Sequence, residues 1–296
     1  MLPLVHHPDY DASSVGDDHR FPMRKYSLVA EILREQGYAF ETPEHASQTA
    51  LERAHDPIYV RGVLTSSLDR STARRVGFDM TPAIAARTRA SVGGTELAAS
   101  RALETGAAIN LAGGSHHADY HGGAGFCVFN DVAVAALSLL DAGRVSRIAV
   151  IDLDVHHGDG TALIFAGDPR VFTASLHCDA NWPRTKPPSD LDMGLPKAVT
   201  DEVYLSAARS LVDRTLATAN PDLVFFNAGV DPHQDDRLGL LSLSDAGLKA
   251  RDRLVATACA ERSIPIVGVL GGGYSKDARA VALRHTYLVE ALQEIT

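Results

Sequence analysis

The 296-residue sequence predicts an α/β fold, a single three-layer α/β/α domain over residues 1–296 with a central, mostly parallel sheet. Three observations predict it. From Ala107 onward, short apolar runs alternate with segments of helical period, the pattern of β-α-β units joined by right-handed crossovers. No Pro/Ser-rich linker, repeat or low-complexity tract divides the chain. Four of the apolar runs also break into dense polar clusters at their carboxyl ends, the rim where open α/β sheets bind ligands.

Leu2 to Val5 reads as a first strand, followed by a polar loop through Asp17-Asp18-His19-Arg20-Phe21-Pro22-Met23. A helix is expected from about Arg24 to Glu35, stopped by Gly37. Ala46 to Ala54 predicts a short helix, and Asp56-Pro57 opens a third, with proline suited to its first turn. Thr81-Pro82-Ala83 opens another. The Ala-rich stretch from about Arg87 to Glu104 is expected to be helical despite Gly93-Gly94, a pair that costs roughly 1 kcal/mol per residue against Ala and so implies close packing on the sheet. Strands are then expected at Ala107 to Leu111, Ile148 to Asp154, Val171 to His177, Leu223 to Ala228 and Ile264 to Leu270. Helices fall between and after them, at Asp131 to Ala142, Thr161 to Ala166, Asp201 to Ala219, Ser244 to Arg262 and Lys276 to Leu292. Only the connection from about Cys178 to Ala198, with Trp182, Pro183, Pro187, Pro188 and Pro196, is expected to be long and irregular, and loops of that length are often functional.

Composition narrows the class. Hydrophobic residues make up 45% and charged residues 22%, as in a soluble globular protein, and no segment has the apolar length to cross a bilayer. The stretch Met1 to His7 has neither the basic region nor the apolar length of a signal peptide, which makes a cytoplasmic location the default. Three widely spaced cysteines, Cys127, Cys178 and Cys259, support neither a disulfide framework nor a Cys-rich zinc site. The net charge of −9, from 28 Lys plus Arg against 37 Asp plus Glu, argues against direct nucleic-acid binding and would not repel a cationic substrate.

The densest polar cluster is Asp152-Leu153-Asp154-Val155-His156-His157-Gly158-Asp159-Gly160, directly after the apolar run Ile148 to Ile151. Continued strand geometry would put Asp152, Asp154 and His156 on one side, three metal-capable groups facing one point. The plain alternative is a solvated acidic turn capping a helix at Thr161, which sits poorly with carboxylates that need a partner once buried. The other clusters are Gly113 to Cys127, Asn227 to Asp236 and Gly271-Gly272-Gly273-Tyr274. Each alone has a plain explanation; all four at one rim do not. Asp154, His156 and Asp231 would give a divalent metal two carboxylates and one imidazole and leave a position open, the arrangement of catalytic zinc. Asp152 and Asp159 would then orient His116 and His117 as acid/base groups toward an activated water.

These blocks resemble the histone deacetylase family of the arginase/deacetylase fold over essentially the whole chain. The cluster Asp152 to Gly160, Ser115-His116-His117-Ala118, Gly125-Phe126-Cys127, Ala228-Gly229-Val230-Asp231 and Gly272-Gly273-Tyr274 match its motifs in order. His19-Arg20-Phe21-Pro22-Met23 and the loop through Pro187-Pro188-Ser189-Asp190-Leu191-Asp192 resemble the small class IV-like and bacterial members most. The resemblance implies zinc on Asp154, His156 and Asp231, with ferrous iron as an alternative, and His117 as general base. It implies His116 paired with Asp152, His117 paired with Asp159, and Tyr274 polarising the amide carbonyl. Phe126 would form one wall of an acyl-lysine tunnel with Gly125 binding substrate through its backbone, and Trp182 is the only large candidate for the second wall. A structural potassium ion is implied at Asp152, Asp154, His156, Ser175 and the main chain of Leu176. Arg20 resembles an arginine that the family places in a product-release cavity, and Ala112-Gly113-Gly114-Ser115 departs from the Pro-Gly common before the His pair.

The expected activity is zinc-dependent hydrolysis of acetyl or longer acyl groups from lysine in proteins or peptides. An acetylpolyamine or other small acylated amine is the alternative substrate. A non-catalytic binding protein would need none of the acid/base set, and a two-metal ureohydrolase would need a second Asp where His233 stands.

Overall fold

Seven strands pair in the order β1-β2-β7-β6-β3-β4-β5, and every pairing is parallel. The computed structural model describes residues 2–12, 14–16 and 18–296; Met1 and Asp17, on which the expected terminus and polar loop partly rest, lie outside the described residues with Ser13. The strands are β1 (Leu4–Val5), β2 (Ala107–Asn110), β3 (Ile148–Asp152), β4 (Val171–Cys178), β5 (Leu191–Leu195), β6 (Leu223–Asn227) and β7 (Ile266–Val269). β2, β3, β6 and β7 are buried along their whole length, which is why their sequences are continuous apolar runs rather than alternating ones. These are also the strands that lead into the polar clusters. They are consecutive in the sheet, so the clusters meet at one rim.

Two groups of helices sandwich the sheet. α5 (Pro82–Thr105) packs on β2, β7 and α6 (Asp131–Asp141), which continues to α7 (Asp159–Phe165). In the other group α1 (Lys25–Glu35) packs on α10 (Ala278–Gln293), α10 on α9 (Asp245–Ala260), and α9 on α8 (Asp201–Ala219). α2 (Gln48–Leu51), α3 (Pro57–Leu64) and α4 (Arg70–Val76) lie between α1 and α5 in the chain. The caps explain several starts: Asp56 accepts from the backbone of Ile58 and Tyr59, Thr81 from Ile84, and Asn130 from Ala133. Such caps are worth about 1 kcal/mol each.

Four expectations are corrected. The segment Cys178 to Ala198 is not wholly irregular, because Leu191–Leu195 adds the edge strand β5 to β4. Its burial pattern, buried only at the two ends, hides it among ordinary loop sequence. α4, absent from the sequence reading, is held by the Asp69 cap and ended by left-handed Gly77, and its polar sequence carries no apolar stripe. The helix after the central motif begins at Asp159, not Thr161. α5 is one continuous helix from Pro82, and of its glycine pair only Gly94 faces the end of a strand: an added Cβ there would meet Asn110 Oδ1 at 2.6 Å, whereas at Gly93 it would strike the backbone of Glu44.

Candidate active site

β3 ends at Asp152, so the three groups of the central motif are not aligned by strand period. The chain bends instead. The backbone N–H of Asp154 donates to Asp152 Oδ1 at 3.1 Å, and that of His156 donates to Asp154 Oδ1 at 2.9 Å. These turns separate the roles: Asp152 points to His116, while Asp154 and His156 converge with Asp231 from the end of β6. His156 Nδ1 lies 3.0 Å from Asp154 Oδ1 and 3.1 Å from Asp231 Oδ2, all three residues being buried. Asp231 also accepts from the backbone of Val155, and Asp154 from that of Gly272, which fixes both carboxylates from outside the cluster. A Cβ on Gly272 would lie 2.7 Å from Asp154 Oδ2, so only glycine lets this backbone approach.

The donor set fits a metal. Burial and the nearby Asp154 raise Asp231 to about 7, while Asp154 itself is held well below the usual range, against burial, chiefly by His116 and His156. Burial opposes the charge on His156, but both carboxylates outweigh it and raise the imidazole to about 10. Two buried carboxylates and one imidazole in mutual contact thus call for shared protons or a cation. Separations of 3.0–3.1 Å are close to the roughly 3.3 Å edge of a tetrahedron with bonds of about 2.0 Å.

The two histidines before β2's loop closes are each tied to one carboxylate. His116 Nδ1 lies 2.6 Å from Asp152 Oδ2, and His117 Nδ1 lies 2.6 Å from Asp159 Oδ1. Their charge states diverge. Burial works against the charge on His116, but Asp152 and Asp154 outweigh it and raise the group to about 9. Burial and the neighbouring His116 push His117 down to about 3 in spite of Asp159. The loop that carries both is anchored by Asp131 at the start of α6, which accepts from the backbone of Gly114 and Ser115.

A cavity of about 420 Å³ opens onto this cluster, lined among others by His117, His156, Gly125, Phe126, Trp182 and Tyr274. Gly125 and Phe126 both have positive φ, +52° and +68°, and a Cβ on Gly125 would lie 2.7 Å from the Trp182 ring. Trp182 is 47% exposed, stands edge-on to His117 with centroids 4.5 Å apart, and follows a turn into a cis bond with Pro183. Tyr274 is buried, its ring 6.0 Å from that of Phe126 and 6.2 Å from that of His156. Burial, then Asp154, raises its phenol well above the ordinary value, so it stays a hydroxyl donor. Ser175 stands opposite Asp152 across the β3–β4 pairing, with its Oγ 3.0 Å from His177 Nδ1, and Leu176 beside it is buried.

Sequence reasoning missed the supports. Asp236 accepts from the backbone of Tyr274 at 2.7 Å and of Leu238 and Gly239. Asn181 bridges the Trp182 loop to Leu238 and Leu240, and Asn227 donates to Asp152. Fully buried Arg251 pairs with Asp252 and donates to the carbonyls of Leu153, Ala228 and Gly229 between the metal-capable residues. Arg20 is exposed at the cavity rim rather than buried below the cluster; the buried cation there is Lys25, which donates to Gly271 O at 2.8 Å. Burial lowers Lys25 to about 8, with Asp231 opposing. A signal existed: Lys25 falls on the buried stripe of α1 with Val29, Ile32 and Leu33.

Comparison with known proteins agrees with this geometry. The family model for the histone deacetylase domain matches residues 19–292. An uncharacterized protein of Picosynechococcus sp. is 42% identical over 99% of both chains, and histone deacetylase 2 of Arabidopsis thaliana is 31% identical over 94% of this chain and 76% of its own. The crystal structure of the HDA15 HD domain superposes with a TM-score of 0.82 over 98% of this chain and 90% of that one, at 22% identity, and so shares the fold. No helix among the described residues is long and apolar enough to cross a membrane. A seven-stranded parallel sheet with the family's motifs gathered at one rim, matched by the family model over nearly the whole chain, makes this protein a hydrolase of the histone deacetylase family.

Proposed function

We propose that the protein is a zinc-dependent amide hydrolase that removes acyl groups from the ε-nitrogen of lysine in proteins or peptides. The observation that carries this reading is the pair of His–Asp couples, each closed at 2.6 Å, beside one three-donor cluster that opens onto a cavity. Asp154, His156 and Asp231 would hold the zinc, or ferrous, ion, which when bound supplies Lewis acidity to a water and to the amide carbonyl. His117 is neutral, and with Nδ1 committed to Asp159 its Nε2 is the nitrogen available to take the water's proton as the oxygen attacks the carbonyl carbon. His116, charged and held by Asp152, stabilises the negative charge that develops and supplies a proton to the amine nitrogen as the C–N bond breaks. Tyr274 donates to the carbonyl oxygen, an interaction that strengthens in the transition state. Phe126, Trp182 and the backbone of Gly125 flank the linear acyl-lysine. Asp152, Asp154, His156, Ser175 and the main chain of Leu176 are proposed to hold a structural potassium ion, supported by Ser175 standing opposite Asp152 in the sheet.

Turnover of acetyl-lysine peptide, long-chain acyl-lysine peptide and acetylpolyamine by zinc-loaded protein tests the proposal. Either lysine substrate should be hydrolysed well above the polyamine; the reverse order would move the assignment to small amines.

A further inference from the structure

We propose that the site selects acylated amines whose carrier bears an anionic group, a carboxylate or a phosphate, close to the acyl-lysine, and that Arg20, Arg24, Arg237 and Lys276 receive it. Three cavities adjoin at the mouth through shared lining residues. The catalytic cavity shares Arg20, Leu238 and Tyr274 with a space of about 290 Å³, which in turn shares Arg20 and Arg237 with one of about 430 Å³. Among the described residues, the last of these is lined by the four basic residues, against Asp18 as the one acidic residue.

That balance runs against the rest of the molecule. The chain carries 37 acidic and 28 basic residues, so a concavity whose described lining has four bases to one acid runs against the general trend. The four arrive from separate places in the sequence: Arg20 and Arg24 before α1, Arg237 from the loop after β6, and Lys276 between Tyr274 and α10. All four are exposed, and among the described residues none has a carboxylate within ion-pair distance. The nearby acid Asp236 is turned inward, its oxygens accepting from the backbone of Leu238, Gly239 and Tyr274. A concave basic surface adjoining the catalytic cavity concentrates anions there and disfavours cations. The inference deepens the amide-hydrolase reading and rests on it; it also disfavours a polycationic acylpolyamine.

Binding and turnover of otherwise identical acetyl-lysine peptides, flanked by Glu, phosphoserine, Gln or Lys, test it on the intact metal-loaded protein. Exposed ion pairs are worth about 0.2–1 kcal/mol each, so two of middling strength, about 0.5–0.7 kcal/mol apiece, predict Glu- and phosphoserine-flanked peptides binding about 5- to 10-fold more tightly than the Lys-flanked one at 50 mM salt. The gap should close toward parity at about 0.5 M salt. The ratio should collapse in Arg237→Glu/Lys276→Glu, and fall partway in Arg237→Gln/Lys276→Gln, with circular dichroism reporting the fold of each. Equal binding of all four peptides, or a preference that survives both double variants, overturns the inference. The Glu and phosphoserine arms distinguish carboxylate from phosphate. Hydrolysis absent on every peptide while the binding preference stands would instead overturn the enzymatic reading alone.

Discussion

Tyr274 hangs from a backbone that only glycine allows and is steadied by Asp236 through its N–H, so its phenol is free to act at the cavity floor. Removing the hydroxyl as Tyr274→Phe should keep fold and metal content while lowering kcat about 10²–10³-fold, the loss expected for one oxyanion donor. Steady-state kinetics with zinc assay decides this, and an unchanged kcat at full occupancy would leave Tyr274 a packing residue. The His pair divides differently. His117→Ala should lose about 10²–10⁴-fold as the proposed general base is removed, and His116→Ala should lose rate through charge and proton delivery to the amine. If His117→Ala keeps most of its kcat on an unactivated amide, the proton goes elsewhere.

Two elements decide shape and cohesion around these residues. The connection from β4 to β5 carries Trp182, and Asn181 ties it to Leu238 and Leu240, which line the same cavity. With about 420 Å³ and this apolar lining, long acyl chains should be hydrolysed at least as well as acetyl, since each buried methylene adds roughly 0.8 kcal/mol of binding. A chain-length series in kcat/KM checks it, and a sharp preference for acetyl would mean the loop closes on the acyl group. His55, just before α3, joins two other segments: its Nδ1 bonds Asp119 O at 2.8 Å, and its Nε2 accepts from the backbone of Asn130 at 2.9 Å. Both nitrogens being used in the neutral form, burial lowers His55 from 6.5 to about 4. Above pH 6.5 neither folded nor unfolded chain carries this proton. Between 6.5 and 4 only the unfolded chain takes it up, so stability falls with pH by up to about 3 kcal/mol and then levels. Urea midpoints should show His55→Gln less stable than the parent at pH 7.5 but losing less on acidification; parallel losses would contradict the burial argument.

At the scale of the molecule, what could be read from the sequence was what continuous patterning carries. Fully buried β2, β3, β6 and β7 show as unbroken apolar runs, and α8 and the Ala-rich part of α5 as sustained helical period, so the layer order follows. β5 and α4 are not legible because one is buried only at its ends and the other, with Val76 as its one buried residue, has no apolar stripe. Around the candidate site, motif residues next to strand ends stand out as polar groups out of place, whereas Asp236, Asn181 and Arg251 act through the backbone of distant segments, a relation that no local spacing records. Lys25 was legible in principle as a charge on an apolar stripe. The proposed hydrolysis depends on Asp154, His156 and Asp231 forming one metal seat. Its most direct test is zinc content and acyl-lysine hydrolysis measured together on the wild-type protein and Asp231→Ala. The expected result is near one bound zinc and chelator-sensitive activity in the first, and severely reduced metal with activity abolished in the second; an Asp231→Ala protein with wild-type metal and full activity would contradict it.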